Sequence, residues 1–389
     1  MKRLDEVTAA RRKRRRKYHL RRLTAALFAL AAVLLIVLAI GGINMYTFRD
    51  IGDFFAAAFA KEAEYPLMLE SAKALKALEL KNAFAVLTGS ELIVKGSRGG
   101  ELLRVGHNLN YPVMQANGAR ILLYDSGNRV FSVYNRTSRL FADESEYPII
   151  AGAIASDGAA VILTRGDRTT AQLRVLSGKS YTTLFTWYGA RGFPYGCGIA
   201  ENGREAYVLT SAAAGGGITT TFTLIDVPAK EQRAEIRLDG IVLKVYEAGS
   251  KYIAVTDKGA FLINKEKVEA AYPFSKVPVL DVSKEGGLLA VAFGDNRQPD
   301  INFILILTEK LEEVRVIEGP GPVDDIYMRS DKLLLLSQGR VYVILQDGET
   351  EQTYETQLRA QKVFWLSSRV HVLLPDRVEK PLPAKDDVS

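Results

Sequence analysis

Nucleophiles, bases and metal ligands are scarce in this chain. The only cysteine is Cys197, and the histidines are His19, His107 and His371. No HxH or HExxH spacing brings two imidazoles onto one metal. His107, in VGHNLNYP, reads as part of an exposed loop, and His371, in RVHVLLP, as one face of a strand. The sequence has no GxSxG nucleophile elbow, phosphate loop or dinucleotide-binding glycine pattern. Gly215-Gly216-Gly217 has no following Lys-Ser/Thr and reads as a hairpin loop. Cys197, in GCGIA, reads as a small packed residue. With one cysteine, an intrachain disulfide and a cysteine-based zinc site are both excluded. No catalytic residue, metal ligand or cofactor is therefore assigned.

Two clusters remain. Asp281, Asp324 and Asp325 stand near the starts of strand-like runs, where they can hold a cation or a basic partner, or serve as solvated turn charges. The stretch TWYGARGFPYGCG (186–198) gathers Trp187, Tyr188, Arg191, Phe193 and Tyr195 in a Gly/Pro-rich connection. Exposed aromatics beside an arginine are the composition of binding hot spots; buried, the same rings wedge between packed units.

The elements that would position these residues are short Val/Ile/Leu/Tyr/Phe runs from about residue 65 onward, separated by Gly, Asp, Asn and Ser turns. One unit recurs, with tight turns in QANGARILLYD (115–125), ASDGAAVILTR (155–165), AENGREAYVLT (200–210) and SKEGGLLAVAF (283–293). Starts near 75, 113, 151, 196, 241, 278, 323 and 360 give a period of roughly 37–45 residues, the length of a four-stranded propeller blade. The predicted fold is an all-β propeller, with eight blades favoured and seven possible. The last unit has room for only two or three strands, and Tyr65–Glu70 is a strand without a unit. Pairing the two closes the ring, so loss of residues 65–71 is expected to destabilise it strongly.

Charge is concentrated at the N-terminus. Of the net +6, residues 1–22 contribute +9, which leaves residues 23–389 at about −3 and gives no pull on nucleic acid. Leu23–Phe48 is an uncharged apolar run of 26 residues, about 39 Å as a helix, and predicts one membrane span. Arg11, Arg12, Lys13, Arg14, Arg15, Arg16, Lys17, Arg21 and Arg22 place the N-terminus in the cytoplasm and the rest outside. Ala58-Phe59-Ala60 resembles a cleavage site but lies well past the apolar run. The basic run also fits a nuclear or nucleic-acid signal, although topology control accounts for it directly before a span. Ile51, Phe54, Phe55, Ala58 and Phe59 mark one apolar helical face, either a stalk continued to Pro66 or an interfacial helix.

The basic tail, single span and repeats such as NGARILLYDSGNRVFSVYNRTSRL (117–140) resemble a bacterial family known only as a domain of unknown function. That resemblance implies a membrane-anchored β-propeller over residues 20–380. No blade ends in the Trp-Asp of WD40 repeats, and only Trp187 and Trp365 exist where quinone-cofactor propellers need regular tryptophans. The expected organisation is a cytoplasmic tail (1–22), a span (23–48), a juxtamembrane helix or stalk (49–64), the propeller (65–380) and a disordered tail (381–389). The expected function is a non-enzymatic platform at the cell envelope. It would meet the lipid bilayer through 23–48 and a protein or glycan partner through the aromatic stretch. The alternative is an extracytoplasmic hydrolase or lyase acting on wall glycan or peptide.

Overall fold

The second strand of each repeat is an unbroken apolar run, as in AFAVLT (83–88) and RILLYD (120–125), because a strand packed on both faces has no solvent side to make polar. The computed structural model describes residues 22, 24–25, 28–29, 45–69, 73–295, 298–366 and 369–384. It forms two units, Met1–Gly52 and Asp53–Ser389, with helix α1 (Met45–Ala58) running across the boundary. The basic tail and the 23–48 span fall almost wholly outside the described residues. Among the described residues, no helix is long and apolar enough to cross a membrane.

In the second unit, eight antiparallel sheets follow one another along the chain. Blades 1 to 7 occupy 74–106, 112–144, 149–189, 193–239, 242–273, 279–318 and 325–355. Their first strands start within three residues of the repeat starts read from the sequence. Blade 8 is built from Lys362–Leu366, Arg369–Leu373 and Arg377–Glu379, and its fourth strand is Leu67–Met68 from the other end of the domain. Leu67 pairs with Val378 and Met68 with Arg377. The propeller therefore has eight blades, closed by the strand that had no unit of its own. Leu382–Pro383 adds a fifth strand to blade 7, opposite Tyr354 and Glu355, and Ala384 is buried. Ordered chain thus continues past residue 380, into the segment expected to be disordered.

Apolar faces meet between neighbouring blades. Leu87, Leu92 and Met114 join blades 1 and 2, and Val161, Leu173 and Val208 join blades 3 and 4. Leu67, Leu69, Phe84, Phe364 and Val378 join blade 8 to blade 1. The free edge of each innermost strand would otherwise leave backbone groups unpaired. Side chains from the preceding blade satisfy several of them. The Val363 amide donates to Asp325 at 2.8 Å, the Met328 amide to Ser283 at 2.8 Å, and Lys76 donates to the Met114 carbonyl at 3.1 Å.

Strand order defines two faces. On the entry face, the fourth strand of one blade passes to the first strand of the next. The turns between strands one and two, and between three and four, lie on the opposite face. Residues 53–63 dock on that opposite face. Asp53 receives the Arg136 guanidinium at 2.8 Å in an almost fully buried ion pair, and Arg136 also donates to the Lys81 carbonyl at 2.6 Å. The helix ends at Ala58 rather than running to Pro66, because residues beyond it find backbone partners in blade 1. Glu62 bridges Gly99, and the Ala63 amide donates to Arg98 at 3.0 Å.

His371 is enclosed at the closing seam between the rings of Tyr65 and Phe364, with Nδ1 on the Arg369 carbonyl at 3.0 Å. Burial holds its imidazole down at about 4. A depressed folded pKa stabilises fully above the ordinary value near 6.5, and that contribution is lost as pH falls through 4. Urea unfolding is therefore expected to lose on the order of 3 kcal/mol from this group between those limits. His371→Phe is expected to remove that part of the pH dependence; an unchanged profile would show that the residue does not titrate on unfolding.

Candidate functional site

The aromatic stretch occupies two strands rather than a loop. Trp187 and Tyr188 end the fourth strand of blade 3 (Thr183–Gly189), and Phe193 and Tyr195 begin the first strand of blade 4 (Phe193–Ile199). Only residues 190–192 connect them, on the entry face. Trp187 is half-buried in the seam between blades 3 and 4, and its indole N–H donates to Gln232 at 3.2 Å. Its ring lies over Gly189, where a Cβ would come within 2.5 Å of it. Tyr195 is locked between blades 4 and 5, sharing a hydrogen bond with Thr220 at 2.8 Å and accepting one from the Val242 amide at 3.0 Å. These two rings are wedges.

Tyr188 and Phe193 differ, at 59% and 68% exposed, and Arg191 between them is also exposed. Neighbouring residues on a strand point to opposite faces, which separates Tyr188 from Trp187. Phe193 and Tyr195 would share a face, but the register shifts between Pro194 and Gly196. The Arg165 guanidinium sits 5.4 Å from the centre of the Phe193 ring. Nothing near Arg165 in sequence marks it for this patch, because the adjacency arises only when blades 3 and 4 stack.

The axial channel opens on the same face. Lys76 pairs with Leu87, Lys244 with Val255, Asp281 with Ala292, Asp325 with Leu336 and Lys362 with Leu373. Those partners are equivalent positions in the second strands, so these five residues form one layer of the channel. Blades 2, 3 and 4 contribute Val113, Ala151 and Gly196 to it. Two of the three aspartates noted in the sequence lie here. Asp281 accepts from the Val282 and Ile326 amides at 2.8 and 3.2 Å. Asp325 is buried, and desolvation pushes it up to about 7, with Lys362 at 3.4 Å opposing and Asp281 adding to the rise. Asp324 is exposed and accepts from the Gln338 amide at 3.0 Å.

Cys197 stands one residue beyond this layer, where burial pushes its thiol up to about 12, the wrong direction for a nucleophile. Beside it, a Cβ at Gly198 would fall 2.1 Å from the Tyr207 ring, so glycine there lets the tyrosine pack against the inner strand. Farther along the inner strands, toward the opposite face, is a cluster that sequence reasoning missed. Tyr327 donates to Glu79, and Arg329 reaches Glu79 at 3.2 Å and the Trp365 carbonyl at 2.9 Å. Burial raises Glu285 beside them, and Arg329 offsets part of that rise. Burial also raises Glu247 on blade 5, apart from this cluster, where it accepts from the Glu201 amide at 2.6 Å. His107 lies elsewhere, with Nε2 3.2 Å from the Thr88 carbonyl. Among the described residues, no group of three or more His, Cys, Asp or Glu is placed to hold a metal.

Eight antiparallel blades built on four strands each, one of them extended by a fifth, with a closing strand drawn from the N-terminal side and polar groups on the inner strands, define a β-propeller. The chain belongs to the family of unknown function DUF5711, which matches residues 64–380. No curated protein matches its sequence. Among solved structures it is similar to the C-terminal WD40 domain of Sif2, at 9% identity and TM-score 0.59, covering 83% of this chain and 99% of that one. It is similar to Sqt1 from Saccharomyces cerevisiae, at 9% identity and TM-score 0.60, covering 84% and 100%. BamB from Moraxella catarrhalis is similar at 11% identity and TM-score 0.51, covering 81% and 98%. Identities this low relate the folds alone.

Proposed function

We propose that this protein is a membrane-tethered binding platform. Residues 23–48 anchor it, the basic tail stays in the cytoplasm, and the propeller presents its entry face to a protein or glycan partner of the cell envelope. The observation that carries this reading is the exposed trio Tyr188, Arg191 and Phe193, reinforced by Arg165. Solvent-facing aromatics with arginine are the residues that partners anchor on. The patch also lies on the face away from residues 53–63, the docked segment that follows the apolar run.

Crosslinked pull-down of the full-length protein from its native membrane tests this. Wild type is expected to enrich a defined envelope partner, and Tyr188→Ala/Arg191→Ala/Phe193→Ala to lose it with unfolding unchanged. Trp187 and Tyr195 are left intact because they hold blades together. Equal enrichment by the variant would refute the patch, and no enrichment by either form would refute the platform.

A second reading, a hydrolase or lyase acting on wall glycan or peptide, is favoured by Glu285, raised by burial near Glu79, Tyr327 and Arg329. A raised carboxyl suits general acid catalysis. Turnover of wall-derived substrates that is abolished by Glu285→Gln would replace the platform reading.

A further inference from the structure

The channel layer is unevenly charged. Its acids are already engaged: Asp325 holds Lys362 and the Val363 amide, and Asp281 holds two amides. Lys76 and Lys244 are not so matched. Lys76 is half-buried with the Met114 carbonyl as its hydrogen-bond acceptor, and Lys244 is exposed on the channel wall. Neither has a carboxylate within ion-pair distance among the described residues. Lys76 is thus an enclosed cation with no counter-charge, and an anion held between it and Lys244 would supply one.

Space is available beside them. Beside Gly196 of that layer, a cavity of about 410 Å³ adjoins Lys244 and runs along the inner strands of blades 2 to 5. Gln115 and Asn117 are among its walls and supply hydrogen-bonding groups for a small polar body, while Tyr195 and Glu247, also in the lining, are already bonded to Val242 and Glu201. We propose that Lys76, Lys244 and Lys362 form an oxyanion site at the entry-face mouth of the channel. It takes a small ligand bearing a phosphate or carboxylate, whose body lies in the adjoining cavity. The three lysines stand at one level of the ring, on blades 1, 5 and 8. Lys76 is held down to about 8, first by burial and then by Lys244 and Lys362. An anion bound among them would relieve that repulsion. Ammonium groups are compact point charges, suited to either oxyanion without the planar selectivity of arginine.

The test is thermal unfolding of the full-length protein with inorganic phosphate or with acetate, ionic strength held constant with chloride. A saturable rise in midpoint is expected with at least one of the two, and the more effective one identifies the group preferred. Lys244→Met, at an exposed position, is expected to fold as wild type and to raise the half-saturating concentration at least about tenfold, the loss of one charge-assisted contact. Lys76→Met is expected to do the same, and Lys267→Met, on the outer part of blade 5, to change nothing. The Tyr188→Ala/Arg191→Ala/Phe193→Ala variant is expected to keep the response, so this site and the partner patch fail separately. Absence of a saturable response to both anions, or a response unchanged in Lys244→Met and Lys76→Met, overturns the proposal.

Discussion

Replacing residues 65–71 with a Gly/Ser linker of equal length is expected to cost at least about 5 kcal/mol, or to prevent folding. The substitution removes the fourth strand of blade 8 and exposes the edge at Arg377–Glu379, which pairs with Leu67–Met68. It also takes Leu67 and Leu69 out of the seam formed with Phe84, Phe364 and Val378. Deletion of one buried leucine side chain costs about 2–5 kcal/mol, and here two are lost together. The single variant Leu67→Ala isolates one of them and is expected to lower stability by about 2–4 kcal/mol. Equilibrium urea unfolding followed by tryptophan fluorescence measures both, since Trp365 lies in blade 8. A linker variant as stable as wild type would mean that blade 8 does not depend on its fourth strand.

Breaking the Asp53–Arg136 pair is the second large effect. Asp53→Ala leaves a guanidinium with 4% exposure and no carboxylate, at an expected cost of about 3–5 kcal/mol. The double variant Asp53→Leu/Arg136→Met removes both charges and is expected to recover most of that loss, because a matched apolar pair needs no desolvation. Hydrogen exchange of residues 53–63 separates local release of the docked segment from global unfolding. Rapid exchange there, with the blades still protected, means that the pair clamps the segment alone. A single variant within about 1 kcal/mol of wild type would show that the pair contributes little net stability.

Blade number, blade boundaries and the closing strand were legible because a propeller repeats its constraints. Runs such as LLAVAF and VILT are apolar without alternation wherever a strand is covered on both faces, and turn glycines mark their ends. The candidate site was legible only in outline. A one-residue shift between Pro194 and Gly196 decides that Phe193 faces solvent while Tyr195 faces the core, and no composition rule foretells it. The aspartates near strand starts include real channel residues, but Asp281 and Asp325 spend their oxygens on backbone amides of the next blade. Nothing in the sequence sets Lys76, Lys244 and Lys362 apart, because their layer is assembled from strands far apart in the chain. No local pattern marks Asp53, since its partner Arg136 lies 83 residues away.

The closing strand also fixes when the domain can be completed. Leu67 precedes its partner Val378 by about 310 residues, so it emerges long before the strand that it closes. Until then, seven blades can be assembled while the ring stays open, and a contact of such long range forms slowly. A chain truncated before residue 377 keeps two unpaired strand edges for its whole lifetime. Emergence of Arg377–Glu379 is therefore the step after which both edges can be covered, and a chain held short of it exposes the strand edges on which aggregation starts.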